Sequence, residues 1–248
     1  MTFPVYIHLG TVQIHPHLLF EGLAYLAGLV LFIQNPNKNP NGFTAEQRLW
    51  LAAAALTGAA LGSKILFWFC DPPATLQRWN DLEYLMGGKT LVGGLIGGLI
   101  GVEFMKVRLG ITVSTGDAFV PSLLLGTAIG RVGCFLTGLA DHTCGNPTTL
   151  PWGVDFGDGP RHPTQLYEIL WLGILAILIW RRSLQPYRSG DLFKLFMVGY
   201  LGFRFFAEFI KPGYFLLGLT GIQWACLGTL LYYSKHLPWL WKHQEATA

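Results

Sequence analysis

Charged side chains are scarce in this 248-residue sequence, where Asp, Glu, Lys and Arg make up 12% of the residues. Soluble domains carry about 25% charged residues, so the composition excludes an ordinary soluble globular protein. Cysteine is equally scarce, with four residues and no pair at the two-residue spacing typical of zinc sites. The sequence has no basic segment with interleaved aromatic residues, which excludes nucleic acid as a partner.

Long apolar stretches take the place of the missing charge. Hydrophobic residues make up 52% of the chain, and several runs approach the roughly 20 residues that a helix needs to cross a bilayer. The sequence therefore predicts an all-α integral membrane protein, a single polytopic domain over residues 1–248 with about seven transmembrane helices. These are predicted at residues 18–34, 49–70, 91–104, 118–139, 165–180, 192–210 and 217–233.

Lysine and arginine are unevenly divided between the two sets of loops that seven spans create. Basic residues concentrate on the cytoplasmic side of membrane proteins, so the N-terminus is predicted outside and the C-terminus in the cytoplasm. The side assigned to the cytoplasm carries Lys38, Arg48, Lys106, Arg108, Arg181, Arg182, Arg188, Lys194, Lys235 and Lys242. The other side carries Arg78, Lys89, Arg161 and Lys211. The first basic residue is Lys38, so span one rather than a cleavable signal is expected to direct insertion.

Two outer connections are long enough to have structure of their own. Residues 71–90 are predicted to form an amphipathic segment at the membrane interface. Residues 140–164 are rich in proline and glycine, which disfavours regular helix. Within them, Trp152, Val154 and Phe156 alternate before a Gly-Asp-Gly turn, a pattern that predicts a short β-hairpin.

Ionisable residues inside predicted spans are the first candidates for function. Each costs about 2.5–3.5 kcal/mol near the bilayer centre and therefore needs a partner or a wet cavity. Arg204 and Glu208 are four residues apart on one helix face, and Lys211 follows on the same side. Two interpretations remain open for them, a functional site or a local ion pair that lets the helix insert.

Arg131 differs because the sequence offers it no carboxylate at helical spacing. Its partner must come from another span, a loop or a ligand, and a guanidinium matches the geometry of phosphate. The sequence therefore favours an anion site at Arg131. Glu21 is interpreted as interfacial, as a partner of an arginine or as a base, and Lys64 as structural.

A cluster of polar residues follows Arg131, namely Cys134, Asp141, His142 and Cys144. The absence of a short cysteine pair disfavours a metal site there. A disulfide between Cys134 and Cys144 on the outer side is favoured over metal binding. Cys70 and Cys226 occupy ordinary apolar positions.

Several short motifs occur in an order that is familiar. FEGLAYLAG lies in span one, GSKILF in span two and VGGLIGG in span three. Two segments are more specific, Gly130-Arg131-x-Gly133 and RHPTQLYE at residues 161–168, and GYLGFRFFAEFIK follows in span six. With Asp117, Pro121 and Gly126, this order resembles the bacterial prolipoprotein diacylglyceryl transferases over most of the chain.

The resemblance implies an enzyme of the bacterial cytoplasmic (inner) membrane that works without a cofactor. It would transfer a diacylglyceryl group from phosphatidylglycerol, an anionic phospholipid, to the lipobox cysteine of a prolipoprotein, releasing glycerol phosphate. Arg131 and Arg204 are expected to hold the phosphate and Glu208 to orient Arg204. The remaining implied site residues are Arg161 and His162 at the outer face and Gly93, Gly94, Gln165, Tyr167 and Tyr200 as substrate contacts.

Departures from the family pattern concentrate at the chemical centre. Val92 stands where the family has a histidine, a candidate catalytic base, and Glu21 stands where it has a tyrosine. Cys134, Thr137 and Leu139 replace two asparagines and a glutamate, and Lys211 replaces an arginine. Either base duty has moved to Glu21, Asp141 or His142, or the reaction has changed. The alternatives are a paralogous transferase with another acceptor and a non-catalytic phospholipid-binding or transport protein.

Overall fold

The structure is a computed structural model that describes residues 2–35 and 42–234. Lys38, Lys235 and Lys242, which contribute to the predicted orientation, lie outside the described residues. The chain divides into two compact units, with residues 2–35 and 115–212 in unit 1 and residues 42–114 and 213–234 in unit 2.

Unit 1 contains four of the long helices. The antiparallel strands β1 (Ile7–Leu9) and β2 (Val12–Ile14) lead into α1 (Pro16–Gln34). A 3-10 turn precedes α6 (Val120–Thr137), and a second one, Gly138–Asp141, follows it. The strands β3 (Val154–Asp155) and β4 (Pro160–Arg161) precede α7 (Thr164–Ser183), and α8 (Asp191–Ala207) ends in the 3-10 turn Glu208–Ile210.

Unit 2 contains the other three long helices and two short ones. Its long helices are α2 (Ala45–Cys70), α5 (Leu91–Leu109) and α9 (Gly221–Ser234). The short helices α3 (Pro72–Gln77) and α4 (Leu82–Gly87) connect α2 to α5. The hairpin of β5 (Phe215–Leu216) and β6 (Leu219–Thr220) precedes α9.

Each of the seven predicted spans coincides with a helix in the described part of the chain. Four of these helical segments are long and apolar enough to cross a membrane: Pro16–Gln34, Ala45–Cys70, Asp117–Asp141 and Thr164–Ser183. The protein is therefore an all-helical membrane protein. The largest difference in bounds is at α5, which extends five residues beyond the predicted 91–104 and carries Lys106 and Arg108 in its last turn. Basic residues there complement the helix dipole.

The long helices turn apolar side chains outward and keep polar ones inside. In α1, Leu26, Leu29 and Ile33 are exposed, which is the distribution expected of a helix that faces lipid. The buried side chains include several that a soluble protein exposes, among them Gln165, Glu168, Arg204, Glu208 and Gln223.

Glycines of α5 allow close contact with α2, as the GGLIGG pattern indicates. A Cβ atom built on Gly97 would overlap the Gly58 carbonyl oxygen and lie 2.8 Å from Gly62 Cα. A Cβ atom on Gly93 would overlap the Gly62 carbonyl oxygen. Small residues of this kind let helix backbones approach one another in membranes.

The two long connections, residues 71–90 and 140–164, contain the structure that their composition suggests. The predicted hairpin is confirmed, since Val154 pairs with Arg161 and Asp155 with Pro160. Phe156 is buried beside the ring of Phe3, with 4.9 Å between ring centroids. Residues 71–90 form α3 and α4, and their place at a membrane interface stays a prediction.

Candidate functional site

The start of α8 is held by a carboxylate from a distant part of unit 1. Asp117 accepts hydrogen bonds from the backbone N–H groups of Gly190 at 2.6 Å and Phe193 at 2.9 Å. Side chains that accept from unpaired N–H groups stabilise helix starts. A single buried face of α8 then carries three side chains at one-turn spacing, Phe196, Tyr200 and Arg204.

A buried carboxylate on α7 joins the two intramembrane arginines. Arg204 Nη1 donates to Glu168 Oε2 at 3.0 Å, and Arg131 Nε lies 2.9 Å from Glu168 Oε1. The Tyr200 hydroxyl donates to Glu168 Oε1 at 2.6 Å. Helices α6, α7 and α8 therefore meet at one carboxylate, which is the partner that Arg131 requires from another element.

Glu208 and Lys211 complete the charge set. Glu208 pairs with Arg204, as their spacing predicts. Lys211 is buried just beyond α8, and burial, with the charge of Arg204 added, lowers its pKa to about 7. The two positive charges of Arg131 and Arg204 balance the two negative charges of Glu168 and Glu208. Lys211 is therefore the cation of this cluster that can gain or lose charge near neutral pH.

Unsatisfied polar atoms mark this cluster as able to take a further ligand. Four buried side-chain atoms have no hydrogen-bond partner in the described part of the chain, and three of them are Arg131 Nε, Arg204 Nε and Gln165 Oε1. The Arg131 Nε–H is thus not aimed at the nearby Glu168 oxygen. Buried polar groups are normally paired, so two guanidinium donors remain available to an anion.

The RHPTQLYE segment connects this cluster to the loop that precedes α7. His162 Nδ1 lies 3.2 Å from the Tyr167 hydroxyl, and Gln165 Nε2 donates to Thr143 Oγ1 at 3.0 Å. Arg161 Nη2 lies 2.6 Å from Asp158 Oδ2, and this exposed pair lowers the pKa of Asp158 and raises that of Arg161.

A second cluster of ionisable groups forms around His17, at the start of α1. His17 Nδ1 lies 2.6 Å from Asp141 Oδ1, and His17 Nε2 lies 3.5 Å from Glu21 Oε2. Cys134 adds its thiol to this cluster, and Arg131 Nη1 donates to Cys134 Sγ at 3.7 Å. Arg131 therefore touches both clusters.

The structure does not bring every predicted residue to these clusters. His142 is exposed in a left-handed backbone conformation after the second 3-10 turn. Gly93 and Gly94 belong to unit 2, where Gly93 packs on α2, and their role as substrate contacts stays a prediction. The disulfide favoured between Cys134 and Cys144 is wrong, because no disulfide joins any of the four cysteines, all of which are described. Gln165 Nε2 donates to the Cys144 thiol at 3.3 Å instead.

Comparisons with known proteins agree with this arrangement. The family model for prolipoprotein diacylglyceryl transferase matches residues 4–236. The chain belongs to this family. Among curated relatives named phosphatidylglycerol–prolipoprotein diacylglyceryl transferase, one from Bordetella parapertussis is 35% identical over 92% of this chain and 91% of the relative. One from Cupriavidus metallidurans is 32% identical over 96% and 93%, and one from Nitrosomonas europaea is 32% identical over 97% and 90%.

Sequence reasoning missed one residue at the centre of each cluster in this prolipoprotein diacylglyceryl transferase family member. Glu168 ends the RHPTQLYE motif, and the unpaired charge of Arg131 was the signal that a carboxylate had to come from elsewhere. His17 gave no comparable signal, because 117 positions separate it from Cys134 and only the packing of α1 on α6 brings the two together.

Proposed function

We propose that this protein transfers the diacylglyceryl group of phosphatidylglycerol to the lipobox cysteine of a prolipoprotein and releases glycerol phosphate. The observation that carries the proposal is the buried Arg131–Glu168–Arg204 network with unsatisfied guanidinium donors, in a chain of this family. A thiol displaces a phosphate from carbon in this reaction, so negative charge builds up on the leaving phosphate. Fixed positive charge near that phosphate stabilises the transition state.

Arg131 and Arg204 would bind the phosphate, and Glu168 would hold both guanidinium groups in place. Because Tyr200 donates to the same carboxylate, the arginines meet the substrate already oriented, which removes a reorganisation cost at the moment of reaction. Glu208 would hold the Arg204 guanidinium in its orientation through their ion pair. Lys211 would gain its proton when the anionic lipid arrives, since a nearby anion favours the charged form.

The outer loop would present the acceptor. His162 contacts the Tyr167 hydroxyl, and Arg161 donates to the Gly145 carbonyl of the preceding loop; these polar groups suit a peptide chain with its thiol directed inward. Of the alternative bases, Glu21 and Asp141 both contact His17, whereas His142 is exposed. The base is therefore proposed to belong to the His17 cluster.

The proposed setting is the bacterial cytoplasmic membrane, with all seven long helices crossing it and the N-terminus outside. Four helices support this by length and composition. The shorter α8 and α9 would cross with the adjoining 3-10 turn and hairpin inside the headgroup region, where water satisfies backbone groups.

Complementation tests the proposal. A bacterial strain depleted of its own transferase should grow when this chain is expressed, and labelled phosphatidylglycerol should transfer its lipid to a model lipobox peptide. Consumption of the phospholipid without labelling of the peptide would indicate a different acceptor. Lipid binding that depends on Arg131, without turnover, would indicate a non-catalytic phospholipid-binding protein, and either result would overturn the proposed reaction.

A further inference from the structure

The His17 cluster assembles three different donor types in a small volume. One donor atom each from His17, Cys134 and Asp141 lies within 4.8 Å of the others. The residues come from the first turn of α1, the last turn of α6 and the 3-10 turn that follows it. This set differs from the Cys134, Asp141, His142 and Cys144 group that the sequence suggests, because it takes its histidine from another helix.

We propose that His17, Cys134 and Asp141 bind a zinc ion and leave one coordination position open. Imidazole, thiolate and carboxylate are the protein ligands of zinc, and sites with three of them keep a fourth position for water or substrate. Zinc–ligand bonds of roughly 2.0–2.3 Å place tetrahedral donors about 3.3–3.6 Å apart. The three donors all lie within 4.8 Å of one another, and the His17–Asp141 contact of 2.6 Å would open by about 0.7 Å to admit the ion.

The surroundings provide the outer contacts that a metal site uses. Thr143 Oγ1 donates to the second oxygen of Asp141 at 2.6 Å, which fixes the carboxylate for binding through Oδ1. The Arg131 Nη1 atom lies 3.7 Å from Cys134 Sγ and places a fixed positive charge beside the thiol that would bind the metal.

One side of the cluster is open to an acceptor. The Asp141 side chain is only 6% exposed and Cys134 only 8%. The His17 side chain, by contrast, is 31% exposed. Glu21 lies on this open side, 3.5 Å from His17 Nε2. A thiol can therefore reach the ion next to a carboxylate that accepts protons.

The role of the ion rests on the proposed function. An acceptor cysteine that binds the open position loses its proton, because a thiol that coordinates zinc is deprotonated. Glu21 accepts that proton. The thiolate then forms a C–S bond with the glycerol carbon while the C–O bond to phosphate breaks, and the electron pair of that bond leaves with the glycerol phosphate held by Arg131 and Arg204. No redox change takes place.

Metal analysis of the full chain purified in detergent without chelators tests the site directly. The wild type should contain about one zinc ion per chain. After exchange with cobalt(II), it should show a thiolate-to-cobalt charge-transfer band in the near ultraviolet. Cys134→Ser should lose that band and most of the zinc, and Asp141→Asn and His17→Gln should lower the zinc content.

Matched controls separate the site from general effects on folding. Cys144→Ser changes another buried cysteine, and His8→Gln changes an exposed histidine of β1; both should keep wild-type zinc content. Wild-type protein that binds neither zinc nor cobalt, or a Cys134→Ser variant that keeps the cobalt thiolate band, would overturn the inference. Zinc binding without transfer would contradict the proposed reaction alone, and transfer by zinc-free protein would contradict this inference alone.

Discussion

The α2–α5 contact in unit 2 and the α6–α7–α8 junction in unit 1 solve the problem of helix association in opposite ways. Gly58, Gly97 and Gly101 let the α2 and α5 backbones touch with no side chain between them. At the other junction, Glu168 and two arginines fill the space between helices with charge. The first arrangement costs little in a membrane, whereas the second requires desolvation of every charged group.

The difference separates packing from function. Replacing a buried ion network by apolar side chains is often neutral or stabilising, so fold stability alone does not call for two arginines and two glutamates here. The free energy that it costs to bury these four charges is explained if the junction has to bind a charged substrate inside the membrane. We therefore expect substitutions at the glycine contact to change stability, and substitutions at the charged junction to change activity in protein that still folds.

Among substitutions that keep the shape of the side chain, the largest effect is expected from Glu168→Gln, which removes only the charge. Two guanidinium groups lose a shared partner, and loss of a positioned charge at a site of this kind lowers kcat by roughly 10²–10³-fold. Transfer to a lipobox peptide measures kcat, and thermal unfolding in detergent shows whether the variant is folded. Glu103→Gln is the matched control, since Glu103 is 55% exposed beside Lys106 and should keep wild-type kcat.

Gly97→Ala tests the glycine contact. The added methyl group has no room between Gly58 and Gly62, and overpacking of this kind costs about 1–3 kcal/mol. Tm should therefore fall, while the kcat of the folded fraction stays close to wild type. Gly98→Ala on the same helix meets its nearest atom at 3.4 Å and should leave Tm nearly unchanged; equal losses in both variants would contradict close packing at Gly97.

Lys211→Met tests the charge at the edge of the junction through its pH dependence. Burial lowers the pKa of Lys211 from 10.5 to about 7, so the folded state binds this proton less well than the unfolded chain. The lysine therefore destabilises the protein increasingly as pH falls from about 10.5 to 7 and fully below that. The variant should exceed the wild type in Tm most at pH 6 and less at pH 9, whereas partly exposed Lys194→Met should show no such trend. A pH-independent difference for Lys211→Met would contradict its burial next to Arg204.

The smallest effect on activity is expected from Lys64→Ala. Lys64 Nζ donates to the carbonyls of Met86 and Gly88, which ties α2 to the end of α4. Loss of these bonds should cost about 1 kcal/mol of stability and leave transfer close to wild type. If Lys64→Ala lost as much transfer activity as Arg204→Ala, both Lys64 and Arg204 would be required for folding rather than for substrate binding.

The helices were predictable from sequence because apolar length alone determines a membrane span. Helix ends were less predictable where the last turn contains charged residues, as in α5, which ends with Lys106 and Arg108 in its last turn. The hairpin at Val154 followed from alternation before a glycine turn, which is a local signal.

The site was predictable only in part. Arg204 and Glu208 share a helix, so their spacing predicted the pair. Glu168 and His17 act across helices, and their contacts with Arg131 and Asp141 depend on tertiary packing that periodicity does not report. Because disulfide bonding requires specific geometry, the ten-residue spacing of Cys134 and Cys144 was equally unable to settle their pairing.

Thioether formation by the purified protein tests the central claim most directly. Wild-type protein and Arg204→Ala would be incubated with phosphatidylglycerol vesicles and a lipobox peptide, and the peptide mass recorded together with the folded fraction of each protein. The wild type should add a diacylglyceryl group to the cysteine, and folded Arg204→Ala should add none. An unmodified peptide with folded wild type, or equal modification by both proteins, would contradict the account.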